Sequence, residues 1–235
     1  MQYVVTQRKA GFVLTGEHGT GKTYLSRVLE RICPPQRNKF VFVTDPFLSP
    51  EDFFQEVFLQ LSAPSVSKPL SKPELQRVLR QKLIEVHSSG MHVVIVFDEV
   101  QAAGKSLLDE ISMFLNVQSA EENYFTLILI GQRSLNDILE GYPQITQRFA
   151  LSYVLSGLDM DETSLYVRHR LRVSGLDVPV FGDDVMPDVY RLSNGMPRVI
   201  NNVCDLALLN GFLKEKRDID AEVMEIVKAE LNGTA

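Results

Sequence analysis

The sequence predicts an α/β fold, a doubly wound parallel sheet, followed by a small helical bundle. Three observations predict it. Residues 11–15 (GFVLT), 93–97 (VVIVF) and 125–130 (FTLILI) are apolar almost throughout, the pattern of strands covered on both faces in a parallel sheet. Segments with helical periodicity lie between these runs, which is the alternation of an α/β fold. After Gly157 no strand-like run appears and only helical patterns continue. The expected division is therefore an α/β core over 1–157 and a helical unit over 158–235.

The elements follow in order. After the first strand, Leu25, Val28, Leu29 and Ile32 fall at i, i+3, i+4 and i+7, one face of a helix. Pro34-Pro35 ends it, and residues 39–44 (KFVFVT) read as a second strand. Ser49-Pro50-Glu51-Asp52 is a helix start, with a serine cap, proline in the first turn and acids beside the positive end of the dipole. Residues 62–73 are rich in Pro and Ser and read as a loop. A helix over 73–87 follows, with Leu75, Val78, Leu79 and Leu83 on one side. Next come the 93–97 strand, a helix over 107–117, the 125–130 strand and an outer strand over 151–155. Beyond the boundary, helices are expected over 161–174, 182–193, 198–214 and 219–232. Asp159 with Glu162 makes a capping pair there, and Gly175 and Gly195 act as stops.

Composition narrows the function classes. With 45% hydrophobic residues the 235-residue chain can build a full core, and a net charge of −6 provides no global basic field for nucleic acid. Cys33 and Cys204, the only cysteines, lack metal-ligand spacing and read as ordinary reduced thiols. No apolar run reaches the ~20 residues that span a bilayer, and no charged-then-apolar leader opens the chain. A cytoplasmic location is the expectation.

Gly16-Glu17-His18-Gly19-Thr20-Gly21-Lys22-Thr23 is a complete G-x-x-x-x-G-K-[ST] phosphate loop, between a strand and a helix as the motif requires. The glycines let the backbone come close and take positive φ. Successive N–H groups and the helix N-terminus then make a nest for anionic oxygens. Lys22 is placed for the β- and γ-phosphates, and Thr23 for Mg²⁺. Tyr24 borders the contacting stretch, and the side chains of Glu17 and His18 carry no assigned chemistry. Asp98-Glu99 directly follows the 93–97 strand. A carboxylate pair at the end of a buried strand is a Walker B arrangement: Asp98 for Mg²⁺, Glu99 to polarise the attacking water. The alternative is a pair of acids opening a surface loop. Gln132, after the 125–130 strand, is placed beside the γ-phosphate, or else is a loop glutamine. Arg148 is a candidate arginine finger for a neighbouring subunit, or else a salt-bridged surface residue. Arg198 is a candidate for bidentate pairing with the γ-phosphate, or else a solvent-facing residue at a helix start.

GEHGTGKT, VVIVFDEVQ, LILIGQ, QRF, YVRHRLRVSG (166–175) and LSNGMPRVINNVCDL (192–206) resemble the AAA+ ATPase domain of the general secretion pathway protein A family, over roughly residues 4–231. The resemblance implies a P-loop NTPase of AAA+ type: a five-stranded parallel sheet of order 5-1-4-3-2 with a C-terminal helical lid. It implies ATP or ADP bound with Mg²⁺, the base near Met196, Pro197 and Ile200. It also implies Gln132 as sensor 1, Arg148 as finger, Arg198 as sensor 2, and a homo-oligomer, with a hexameric ring as one form. Family members support secretion or pilus assembly in the bacterial envelope. They carry an N-terminal segment that helps enclose the adenine, where only about ten residues precede Gly11 here. Larger members continue into a membrane helix and a peptidoglycan-binding domain.

Three functions compete. The first is an ATPase whose cycle assembles or remodels a protein complex. The second is a DNA-bound transposition ATPase, suggested by a wider family link and by Arg168, His169, Arg170 and Arg172. The third is a low-turnover nucleotide switch controlling oligomerisation. Neither the client nor the ring size can be read from the residues.

Overall fold

The computed structural model describes residues 1–62, 71–117, 123–149, 151–176 and 178–233. Most of the expected 62–73 loop lies outside them. The chain divides into two compact units, Met1–Gly16 with Lys22–Leu155, and Glu17–Gly21 with Ser156–Ala235. The tip of the glycine loop thus groups with the C-terminal residues.

The sheet unit runs α1 (Gln2–Thr6), β1 (Gly11–Gly16), α2 (Lys22–Ile32), β2 (Asn38–Val43), α3 (Pro50–Leu61), α4 (Lys72–Ser88), β3 (His92–Phe97), α5 (Lys105–Phe114), β4 (Phe125–Gly131), α6 (Ser134–Glu140), α7 (Pro143–Arg148) and β5 (Leu151–Leu155). All pairings are parallel, in the order β2-β3-β4-β1-β5, which read from the other edge is the expected 5-1-4-3-2. Every residue of β1, β3 and β4 is buried. The two-residue period of a strand sorts them into two layers. Val13, Ile95, Phe97, Leu127 and Leu129 pack with Phe53, Leu79, Leu83 and Ile111 on one face. Phe12, Leu14, Val94, Val96, Ile128 and Ile130 pack with Val4, Val5 and Leu29 on the other. Burying each such side chain contributes ~1.5–3 kcal/mol, and this double burial keeps the carboxyl ends of the central strands in place.

Local signals explain several element ends. The Ser49 hydroxyl accepts the Asp52 N–H at 3.1 Å, and proline occupies the first turn of α3 as expected. Three short elements, α1, α6 and α7, were not expected; at 5–7 residues they are too short to show a period. The buried face of α2 also differs from the expected one. Lys22, Ser26 and Leu29 are buried, whereas Leu25 is 37% and Ile32 50% exposed. The helix turns its lysine and small serine inward because its first turn serves the glycine loop rather than the core. Arg27 instead covers Phe42, its guanidinium carbon 3.6 Å from the ring centroid, a cation–π contact.

The helical unit contains α8 (Met160–Val173), α9 (Met186–Ser193), α10 (Pro197–Leu213) and α11 (Ala221–Gly233). The expected capping pair forms: the Glu162 N–H donates to Asp159 Oδ1 at 2.8 Å and the Asp159 N–H to Glu162 Oε2 at 3.0 Å. Val167, Val189, Ile200, Val203, Val223 and Val227 form its core. Its one β feature among the described residues is a single bridge, Phe181 to Ile219. Asn194 and Gly195 both take left-handed backbone, φ 49° and 69°. At Gly195 a methyl group would lie 1.8 Å from the Leu158 carbonyl oxygen, so only glycine fits. No helix among the described residues is long and apolar enough to cross a membrane.

Candidate functional site

The polar residues gather at the carboxyl ends of β1, β3 and β4. β1 ends at Gly16, whose carbonyl accepts Lys22 Nζ at 3.0 Å, and Lys22 is 5% exposed. The backbone carbonyl of the loop's first glycine thus helps to hold the lysine beside the loop. Thr23, in the first turn of α2, donates its hydroxyl to Asp98 Oδ2 at 2.5 Å. Asp98 is buried, and its other oxygen accepts the Glu99 N–H at 2.8 Å. Thr23 and Asp98, read from motifs 75 residues apart, therefore adjoin. A hydroxyl and a carboxylate are the hard oxygens Mg²⁺ takes, and it binds through few protein ligands while keeping waters and phosphates. Among the described residues no group of three or more His, Cys, Asp or Glu could hold a metal by itself.

Glu99 is half-buried and takes left-handed backbone, φ 53° and ψ 34°. For a residue other than glycine this is uncommon and costs on the order of 1 kcal/mol. Its carboxylate Oε2 accepts Gln101 Nε2 at 2.6 Å. Gln101 Oε1 in turn accepts the backbone N–H of Gln132 at 2.9 Å. Gln132 thus stands at the end of β4 as expected, with its side chain exposed and its backbone tied toward Glu99. Gln101 received no role from sequence; the DEVQ string contains it, but only the juxtaposition of two strand ends gives it partners.

Within the helical unit, Gly19 takes φ +85° and Arg198 Cβ would lie 3.0 Å from a methyl group there. The Arg198 N–H points at the Gly19 carbonyl at a long 3.4 Å, and its guanidinium contacts His18 Nε2. Gly21 is also left-handed, φ +96°, in open space. The Thr20 hydroxyl donates to the Glu17 carbonyl at 2.9 Å. Glu17 and His18 are exposed. Met196 caps α10, Pro197 is its first residue, and Ile200 is buried in the helical core.

Two expected residues stand apart. Tyr24 is 66% exposed. Arg148, at the end of α7, donates to the Leu115 carbonyl at 2.8 Å and to Asn116 Oδ1 at 3.0 Å, so its fork is engaged within its own chain rather than in an ion pair. Both cysteines are free. Burial, with Asp205 adding to it, pushes the Cys204 thiol up to about 12, and burial raises Cys33 as well, which disfavours the thiolate at both.

A parallel sheet of this order, with a glycine loop after β1 and an acidic pair after β3, defines a P-loop NTPase fold. Residues 5–139 match the family described as AAA domain, and the chain belongs to that family. It is 30% identical over 230 residues to General secretion pathway protein A of Aeromonas hydrophila, covering 97% of this chain and 42% of that protein. The chain therefore spans less than half the length of this relative. Among solved structures it is similar to the Aeropyrum pernix ORC2 protein in ADPNP-ADP complexes, with TM-score 0.72 and 12% identity over 97% of this chain and 66% of that one. It is also similar to the Thermotoga maritima RuvB Holliday junction branch migration motor, with TM-score 0.67 and 15% identity over 98% and 65%. At these identities the likeness concerns the fold.

Proposed function

We propose that the chain is a Mg²⁺-dependent ATPase that uses its nucleotide cycle to assemble or remodel a protein complex of the secretion or pilus type, at the cytoplasmic side of the envelope. The observation that carries the chemistry is the Thr23–Asp98 hydrogen bond, which joins the phosphate loop to the acidic pair. In this reading the backbone from Gly16 to Thr23 cradles the phosphates, and Lys22 neutralises the β- and γ-oxygens. Thr23 and Asp98 would hold Mg²⁺, which would supply positive charge against the phosphate oxygens. Glu99 accepts a proton from the water as its oxygen bonds to the γ-phosphorus and the bond to the β-phosphate oxygen breaks. Gln132 orients that water, Arg198 pairs with the γ-phosphate, and Met196, Pro197 and Ile200 contribute to the base site. Arg148 serves a neighbouring copy in a homo-oligomer. The secretion assignment draws on the relative from Aeromonas hydrophila.

A DNA-binding role draws less support. Arg168 is paired with Asp183 at 2.5 Å, and the exposed Arg168, His169, Arg170 and Arg172 of α8 spread around much of the helix, with Arg168 and Arg172 on one face and Arg170 turned away. The test is phosphate release from ATP with and without Mg²⁺, for the native chain and Glu99→Gln. Mg²⁺-dependent release is expected, lost by roughly 10²–10⁴-fold in the variant while fluorescent-ATP binding persists. Unchanged release in Glu99→Gln would remove that residue from its role.

A further inference from the structure

Gln101 is the polar side chain at the strand ends that the proposed chemistry leaves without a task. It sits in the 3-10 turn Val100–Ala102, half-buried, and uses both ends of its amide. One partner, the Glu99 carboxylate, only accepts; the other, the Gln132 N–H, only donates. A single amide orientation satisfies both, with Nε2 on Glu99 at 2.6 Å and Oε1 on Gln132 at 2.9 Å. Gly131 supplies an independent observation. A methyl group there would lie 2.6 Å from Gln101 Oε1 and 2.9 Å from Leu135 Cδ2, although Gly131 is not among the positive-φ residues. A methyl group at Gly131 would make the ends of the Gln101 and Leu135 side chains shift, so it would disturb the Gln101 amide.

We infer that Gln101 is the positioning residue for Glu99, bridging its carboxylate to the end of β4 at Gln132. This rests on the ATPase reading above. Donation to Oε2 occupies one carboxylate oxygen and leaves Oε1 to receive the proton from water. Anchoring on the Gln132 backbone refers that oxygen to the strand end that carries the γ-phosphate-facing glutamine. Gln101, two residues on in the same turn, donates to the Glu99 carboxylate, so the direction of the carboxylate depends on that amide. Movement of the β4 end would then reach Glu99 through one side chain.

The test is steady-state ATP hydrolysis with fluorescent-ATP binding and thermal melting for the native chain, Glu99→Gln, Gln101→Ala, Gln101→Glu, Gly131→Ala and the Gln101→Ala/Gly131→Ala pair. Gln101→Glu keeps the acceptor for the Gln132 N–H and replaces the donor to Glu99 by an acceptor. An anchor alone would be rescued by it; positioning of Glu99 would not. The expected result is a fall in kcat of about 10–100-fold in both Gln101 variants, part of the worth of a general base, with KM and ATP binding within about twofold and melting retained. Gly131→Ala should lower kcat similarly, and the pair no further than either single variant, because both remove one interaction. Native kcat in Gln101→Glu, or kcat and ATP binding falling together, would overturn the inference. If the native chain hydrolyses ATP and Glu99→Gln does not, that failure belongs to Gln101 alone. If the native chain does not hydrolyse ATP, the ATPase reading falls and takes the inference with it.

Discussion

The sheet unit and the helical unit both present polar groups from an apolar body, but they hold them differently. In the sheet unit the polar side chains brace one another: Thr23 on Asp98, Gln101 between Glu99 and Gln132. Each grows from a strand end or first helical turn whose neighbours are buried on both sheet faces. In the helical unit Arg198 follows a left-handed pair, Asn194-Gly195, and meets the loop residues through one long backbone bond and a guanidinium contact with His18. Braced groups suit a task that needs fixed geometry. A lone arginine at a helix start suits one that needs an adjustable reach.

Substitutions can break or sharpen that contrast. Ile95 is fully buried at the centre of β3, so Ile95→Ala should cost about 2–5 kcal/mol, read from urea unfolding; a loss below 1 kcal/mol would mean the strand is not the rigid support described. Next, Lys22→Ala should weaken fluorescent-ATP binding about 100-fold, equivalent to ~3 kcal/mol for a lost charged hydrogen-bonding group. Arg198→Ala should instead lower turnover with binding changed only a few-fold; equal loss of binding in both variants would erase the distinction. Gly195→Ala should destabilise the helical unit by about 2 kcal/mol, from left-handed strain and the displaced Leu158 carbonyl, measurable as a lowered melting temperature.

The smallest effect is a pH slope. His92 is buried in the sheet unit, its Nε2 on the Thr126 hydroxyl at 2.8 Å. Burial, with Arg8 and His87 adding to it, lowers it to about 3. The neutral form is thus the folded form. The stability it contributes is present above the unfolded value near 6.5 and is lost as pH falls from there toward 3, at about 1.4 kcal/mol per pH unit. A His92→Gln variant should show a shallower fall in urea midpoint between pH 6.5 and 4.

Much of the sheet unit was legible because its signals are local. Runs buried on both faces mark β1, β3 and β4, and G-x-x-x-x-G-K-T and Asp98-Glu99 lie at their ends. The buried side of α2 was not legible, since Lys22 and Ser26 are turned inward by the loop they serve while apolar Leu25 and Ile32 face out. Gln101 was not legible because its second partner, the Gln132 N–H, lies 31 residues on, just past the end of β4. The Ile200 reading came from resemblance alone and the Arg198 reading leaned on it, as nothing in their spacing names a ligand.

Arg148 holds two neutral acceptors, a carbonyl and an amide oxygen. Any group that draws it away must compete with both. Water offers no advantage over them, but an anionic oxygen does, since charge-assisted hydrogen bonds are roughly twice as strong. A phosphate-like charge brought close would therefore compete for the arginine better than solvent does.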